Sequence, residues 1–386
     1  QIDIIKVCEI IGIDESMVSF ITVLKEKNMG TASRKRFIDT LNHRDPGEVV
    51  LDLGSTPITG INANALVKLR RALGLEERVV RMNEPLQLLG EVEDDLRVAL
   101  GIDVVGVSNG VTLFGFENKD WKPWTMQSGL PVLVPGDFNT TVDKEGNTYL
   151  YPMGDVSAPP SGKMPKGGYY FDNLFRGKSS FEIENANARA DFKDDFGVLT
   201  QEHLRRIEDE SKFLYENTEY GLIGGGALAG FGDFAVVPGP NVRYPQGVRD
   251  LNEFMMAHIL MPEYIHDLFE MQLETGLKNA ALFFQAVGNR IQAMQISGTD
   301  FGLQRGPFMT LESYQEFYKP YHKRINDWVH EHTSWKTFFH TCGSVVAFLQ
   351  DFYEAGIDIL NPVQTTAEGM SARWLKDHWG DKFVFW

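Results

Sequence analysis

Cysteine is nearly absent from this chain of 386 residues, which contains only Cys8 and Cys342. Two thiols cannot build the disulfide framework of a small secreted fold, so we expect a reducing, cytoplasmic setting. Any cysteine chemistry must use one of these two residues. Long hydrophobic runs are also absent: none approaches the ~18 residues that cross a bilayer. The amino terminus lacks the basic and then apolar pattern of a signal peptide, so we expect no membrane contact.

Basic residues are scarce relative to acidic ones. The chain has 37 Lys and Arg against 53 Asp and Glu, a formal charge of -16. A phosphate backbone is repelled by such a surface, so nucleic acid is excluded as an expected partner. A composition of 43% hydrophobic and 23% charged residues is typical of a soluble globular chain with a sizeable core. The length permits one or two domains.

Short apolar runs alternate with stretches of helical periodicity along most of the chain. The runs predict seven strands, over 49–53, 103–108, 221–229, 293–297, 336–340, 358–360 and 383–386. Strands joined by helical crossovers pair in parallel, and a series this long closes into a barrel. We therefore predict the α/β class and a (β/α)8 TIM barrel whose eighth strand would lie beyond the end of this chain. A doubly wound open sheet is the competing architecture, but no strand precedes a Gly-x-Gly-x-x-Gly helix start.

The pattern also divides the chain into regions. Residues 1–30 carry apolar positions at helical spacing and predict an N-terminal helical extension, and 31–386 form the predicted barrel. Residues 111–190 interrupt the alternation, because they are rich in turn residues and period-two pieces. They predict a β-hairpin insertion after the second strand. The predicted helices of the barrel span 33–41, 64–73, 92–100, 201–217, 249–290, 311–332, 345–355 and 372–379.

The strongest chemical signal is the pair His340 and Cys342, two residues apart where a strand ends. Imidazole nitrogen and thiolate sulfur are good ligands for Zn²⁺, so the pair predicts part of a metal site. A third ligand is needed. Candidates are Asp300, Glu368 or a residue of the eighth strand. The alternative is a buried cysteine beside a structural histidine.

Polar side chains follow other strand ends. Asp300 leaves its strand between glycines, where it could hold a cation or move a proton, although aspartate is also common as a helix cap. Asn361 and Gln364 carry amides suited to orienting a polar ligand, and Asn109 is similar. The alternative is that these amide side chains form hydrogen bonds with backbone groups of the loops.

The order of these segments resembles the uroporphyrinogen decarboxylase superfamily, and within it the corrinoid-dependent methyltransferase branch, which includes enzymes of the methylcobalamin:coenzyme M methyltransferase and O-demethylase types. The motifs that carry the resemblance lie at 34–37, 42–43, 50–54, 298–304, 340–343 and 354–364. The resemblance covers roughly residues 31–386. It implies a (β/α)8 barrel, in agreement with the alternation of strands and helices.

The resemblance also implies a function. Uroporphyrinogen decarboxylases have an arginine-rich loop after the first strand, whereas residues 54–60 contain no arginine. Tetrapyrrole decarboxylation is therefore the alternative, and the favoured hypothesis is methyl transfer between a small substrate and a corrinoid. A catalytically silent barrel that only holds a corrinoid protein is the third.

In the methyltransferase branch, His-x-Cys supplies two zinc ligands, which His340 and Cys342 match, and a third, commonly Cys, comes from the eighth strand. The resemblance implies Zn²⁺ as a Lewis acid and a methylcorrinoid carried by a partner protein. It places Asp300 and Gln304 in the pocket, with Asp300 orienting substrate or accepting a proton. Asn361 and Gln364 are further pocket residues by position. The identity of the methyl donor and acceptor and the oligomeric state stay open.

Overall fold

A computed structural model of the chain describes residues 33–177, 186–226 and 228–386. The predicted helical extension over 1–30, with Cys8, lies outside these residues. The strands, β1 to β17 in chain order, are Ile61–Asn62, Val80–Glu84, Leu89–Gly90, Val104–Val107, Lys122–Thr125, Pro131–Val134, Thr140–Val142, Thr148–Leu150, Gly162–Met164, Asp172–Asn173, Gly221–Gly224, Ala293–Ser297, Gly302–Leu303, Gly306–Pro307, Lys336–His340, Ile359–Asn361 and Val384–Phe385.

The α-helices, α1 to α11 in chain order, are Ser33–Leu41, Ala63–Ala72, Asp94–Leu100, Ala188–Asp191, Gln201–Asn217, Leu251–Leu260, Pro262–Val287, Leu311–Phe317, Lys319–His332, Leu349–Glu354 and Ala372–Trp379. Single turns of 3₁₀-helix occur at Pro57–Thr59, Pro152–Gly154, Gly288–Arg290 and Val346–Phe348. Within the described residues, no helix is both long and apolar enough to cross a membrane.

Six strands form a parallel sheet in the order β17-β16-β15-β12-β11-β4. Alternate residues of each strand face opposite sides, and both sides are buried. On one side, six strand residues cluster with α1, one from each strand: Val104, Ile223, Ala293, Phe338, Ile359 and Val384. Their neighbours face the larger core between the sheet and the outer helices. The predicted α/β class with parallel strands is confirmed.

Helix α1 packs against the side of this sheet that carries these six residues, which we call its inner face. Its Phe37 is 1% exposed and lies in the cluster of inward-facing strand residues. A Cβ atom added to Gly221 would lie 2.3 Å from the Phe37 ring. Glycine is therefore required at the start of β11, because the ring occupies the space that a side chain would need.

The sheet is not a closed barrel in the described part of the chain, because its edge strands β4 and β17 do not pair with each other. The predicted first strand, over 49–53, is irregular. Its Leu51 N–H donates to the side chain of Asp103, at 2.9 Å, rather than to a backbone ladder. The next residue, Asp52, accepts a hydrogen bond from the Trp386 indole N–H at 3.2 Å. Residues 51–52 thus contact both edges without forming a strand between them.

The region predicted as a β-hairpin insertion is more extensive than a hairpin. Strands β7 to β10 form a four-stranded antiparallel sheet, and β5 and β6 join β1, β2 and β3 in a second sheet. That second sheet includes a parallel pair, β2 with β6, and it shares a separate hydrophobic core with strands β8 and β9. The prediction missed β1 to β3, because strands of two to five residues give too short an apolar pattern to separate from loops.

Prolines mark the division between consecutive helices at two places. The stretch 249–290, which is predicted to hold more than one helix, contains α6 and α7, which meet at Met261 just before Pro262. A residue before proline is disfavoured in the helical region, and proline is well suited to the first turn, so the break lies where the chemistry requires it. The stretch 311–332 is similarly divided at Tyr318, with Pro320 in the first turn of α9.

Candidate metal centre

The site lies where β12 and β15 end. These strands are parallel neighbours, so their carboxyl ends lie at the same edge of the sheet. His340 is the last residue of β15, and Cys342 follows two residues later. Asp300 follows the end of β12 at Ser297. The sheet thus brings together an aspartate and a His-x-Cys pair that are distant in sequence.

Three potential ligand atoms converge there. The carboxylate of Asp300, the imidazole of His340 and the thiol of Cys342 each offer one atom, all within 4.8 Å of one another. The Cys342 Sγ lies 3.5 Å from His340 Nε2, which lies 3.9 Å from Asp300 Oδ1. All three residues are half-buried. One oxygen, one nitrogen and one sulfur form a donor set of the kind that Zn²⁺ accepts.

Asn361 orients the imidazole. The amide Oδ1 of Asn361 lies 2.6 Å from His340 Nδ1, and the amide Nδ2 donates to the Trp386 carbonyl at 3.4 Å. Because Asn361 presents its oxygen, Nδ1 of His340 carries the proton and Nε2 presents its lone pair to the cluster. A metal-binding histidine is usually held in this way by a partner on its other nitrogen. The sequence predicts that Asn361 binds substrate, whereas its described side-chain hydrogen bonds are with His340 and Trp386.

The Cys342 thiol is strongly biased toward its neutral form. Burial, together with the negative charge of Asp300, raises the pKa of Cys342 to about 12. The Asp300 Oδ1 also accepts the Cys342 backbone N–H at 2.6 Å. A carboxylate beside a buried thiol is unfavourable for the thiolate unless a cation lies between them. The arrangement therefore fits a divalent ion, which would stabilise both anions.

Gln364 and Gln304 lie beside this cluster and contact each other. The Gln364 Oε1 accepts the Gly343 backbone N–H at 2.9 Å, and its Nε2 donates to Gln304 Oε1 at 3.1 Å. The Gln304 side chain also donates to the Thr366 carbonyl. These contacts tie the loop after β12 to the loop after β16.

The remaining predicted candidates lie elsewhere. Glu368, the other carboxylate considered as a third ligand, is exposed and is not part of the cluster. Asn109 is half-buried after β4, and its Oδ1 accepts the Val111 backbone N–H at 3.1 Å, which is a turn contact. No described hydrogen bond links Asn109 to the three candidate ligand residues.

Asp233 is a functional candidate that sequence reasoning missed. It is half-buried in the loop after β11, and its Oδ1 accepts the Ala235 backbone N–H at 2.8 Å. Burial, with a contribution from the charge of Asp300, raises the pKa of Asp233 to about 7. Asp233 follows glycines after a strand, which is the same signal that singled out Asp300 and could have found it.

Comparison with known proteins gives little beyond this geometry. No protein-family model matches the sequence, and no curated protein matches it. Among solved structures, a methyltransferase from Methanosarcina mazei is similar, with a TM-score of 0.40 and 13% identity over 89% of this chain and 81% of that chain. Both values are too low for the similarity to indicate an activity. Membership of the uroporphyrinogen decarboxylase superfamily stays a prediction.

Proposed function

We propose that the protein is a zinc-dependent methyltransferase that moves a methyl group between a small substrate and a corrinoid held by a partner protein. The observation that carries the metal part is the convergence of Asp300, His340 and Cys342 within 4.8 Å. The corrinoid part rests on the resemblance of the segments around His340 and Asn361 to the methyltransferase branch.

The three residues would hold the ion through one carboxylate oxygen, one imidazole nitrogen and one sulfur. When bound, Zn²⁺ supplies Lewis acidity that lowers the pKa of a thiol or hydroxyl, or polarises a methoxy oxygen. In this proposal Asp300 is a ligand, which replaces its expected role as a proton acceptor.

The chain's own residues prepare the site. Asn361 fixes which nitrogen of His340 faces the cluster, since its oxygen lies 2.6 Å from Nδ1. Asp300 accepts the Cys342 backbone N–H, so the same carboxylate positions the thiol. Gln364 holds the loop at Gly343. Preorganisation of this kind removes the cost of ordering ligands when the ion binds.

The loop over 54–60 argues against the decarboxylase alternative. Uroporphyrinogen carries many carboxylates, which need positive partners. Uroporphyrinogen decarboxylases have arginines in this loop, and this chain has none there.

Metal analysis of the full-length protein tests the metal site. We expect about one zinc per chain, and we expect Cys342→Ser to lose it, because removal of the soft ligand leaves only oxygen and nitrogen. Cys8→Ser is the matched control, since it removes the other thiol, and should keep the zinc. Zinc that stays at wild-type stoichiometry and affinity in Cys342→Ser would refute the proposed site.

A spectroscopic assay tests the reaction. Free methylcobalamin stands in for the corrinoid partner, and small thiols and alcohols, each with and without an ammonium group, serve as acceptors. We expect zinc-loaded protein to convert the methylcobalamin spectrum, and Cys342→Ser to lose that activity with Cys8→Ser unaffected. The proposal of methyl transfer would be refuted if fully zinc-loaded protein converted methylcobalamin with none of the acceptors and also transferred no methyl group from methoxylated donors to the reduced corrinoid. That result would leave the metal site intact.

A further inference from the structure

An uncompensated carboxylate lies beside the metal cluster. The Asp233 Oδ1 is held by the Ala235 N–H, whereas Oδ2 has no described hydrogen bond or ion pair. That oxygen lies 3.1 Å from where a Cβ on Gly298 would be and 3.6 Å from one on Gly230. Two glycines therefore leave the space beside Oδ2 free of side chains. Asp233 itself is half-buried.

The charge described as acting on Asp233 is negative. Asp300 lies close enough for its charge to act on Asp233, and within the described ranges no Lys or Arg pairs with either carboxylate. A divalent ion held by Asp300 and Cys342 would balance those two ligands. It would leave the charge of Asp233 without a partner, because Asp233 is not one of the three residues that converge on the ion. The ionised form of a partly buried carboxylate is unfavourable without a cation, so a positively charged ligand would stabilise it.

Two phenylalanines link the loops that carry Asp233 and Asp300. Phe234 follows Asp233, and its ring packs against Phe308 with centroids 4.8 Å apart and planes at 63°. The Phe308 N–H donates to the carbonyl of Phe301, the residue after Asp300. Both rings of the pair belong to half-buried residues. The pair thus joins the loop of Asp233 to the loop of Asp300, and an aromatic ring in these loops would add a cation–π contact to an alkylammonium group bound at Asp233.

We infer that the small substrate of the proposed methyltransferase carries a positively charged nitrogen, which pairs with Asp233 and lies against Phe234 and Phe308 beside the metal cluster. This inference rests on the proposed function and specifies its substrate class. It makes sulfonate- or carboxylate-bearing acceptors poor substrates, because they would meet two carboxylates, neither of which forms an ion pair with a described Lys or Arg.

Binding of two probes of equal shape tests the inference. Propylammonium and 1-propanol differ in charge but not in size, and titration calorimetry or ligand-observed NMR measures both on the full-length protein, zinc-loaded and metal-free. We expect propylammonium to bind at least about tenfold more tightly, since a hydrogen bond to a charged group in a partly buried site exceeds that ratio. Asp233→Asn should abolish the preference. Asp137→Asn, the same change at an exposed position, should keep it.

Two further results keep the test decisive. Phe308→Leu retains the carboxylate and should reduce the preference several-fold, so it reports the site if Asp233→Asn fails to fold. Equal binding of the two probes to wild-type protein, or an unchanged preference in folded Asp233→Asn, would overturn the inference. Wild-type protein that binds no zinc but still prefers propylammonium would instead refute the proposed function. The two outcomes are distinguishable because the ammonium preference is also measured on metal-free protein.

Discussion

Alkylation of Cys342 in metal-free protein should be unusually slow. Burial and the charge of Asp300 raise the pKa of this thiol from its ordinary value of 9.0 to about 12. Only the thiolate is alkylated, and its fraction well below the pKa falls tenfold for each unit by which the pKa rises. At about pH 8 the thiolate fraction, and with it the rate, should therefore be lower than that of an ordinary cysteine by about a thousandfold.

The assay follows iodoacetamide modification of each cysteine by mass spectrometry as a function of pH. The rate at Cys342 should rise with pH up to the limit of protein stability, because the folded thiol deprotonates above the usual range. Asp300→Asn removes the charge but not the burial, which is the larger cause. The rate should then rise by about tenfold or more without reaching that of an unfolded thiol. Urea-unfolded protein supplies that reference rate.

Two results would refute this reasoning. The first is alkylation of Cys342 in folded, metal-free protein at the rate of the urea-unfolded control at the same pH. The second is an unchanged rate in Asp300→Asn, which would mean that the carboxylate does not act on the thiol. Circular dichroism of each sample at every pH confirms that the rate reports folded protein.

Three further predictions concern binding and stability. Asn361→Ala should weaken zinc binding about 10- to 100-fold in a chelator competition, because His340 loses its orienting partner. Gln364→Ala should lower the zinc affinity less, and equal effects of the two substitutions would contradict the orienting role of Asn361. Phe37→Ala should lower the free energy of unfolding in urea by about 3 to 5 kcal/mol, since it empties the inner face of the sheet; a loss below 1 kcal/mol, on the order of a surface change, would contradict that packing. Hydrogen bonds from Arg70 lower the pKa of Asp95 to about 2. The stabilisation of the folded protein by this ion pair should therefore be present above about pH 4 and lost as pH falls toward 2. The free energies of urea unfolding of Asp95→Asn and wild type should differ at neutral pH and converge in acid.

Local patterns were sufficient for several elements. The predicted bounds of Ser33–Leu41, Gln201–Asn217 and Ala372–Trp379 coincide with α1, α5 and α11, and those of Ala293–Ser297 and Lys336–His340 coincide with β12 and β15. These segments have clear apolar periodicity, and each is bounded by residues that favour caps or turns. The predicted strand at 49–53 has the same apolar character but is irregular. The backbone N–H of Leu51 in this segment donates to the Asp103 side chain, a partner that no local pattern reveals.

The sequence by itself determined which chemistry was available. A single His-x-Cys pair at the end of an apolar run identified candidate nitrogen and sulfur ligands, because residues two apart leave a strand on the same side. Only the tertiary structure decided that Asp300, rather than Glu368, completes the described cluster, that Asn361 contacts the imidazole, and that Asp233 lies nearby. Those contacts depend on the order of β11, β12, β15 and β16 in the sheet, and strand order is set by long-range packing that local periodicity does not encode.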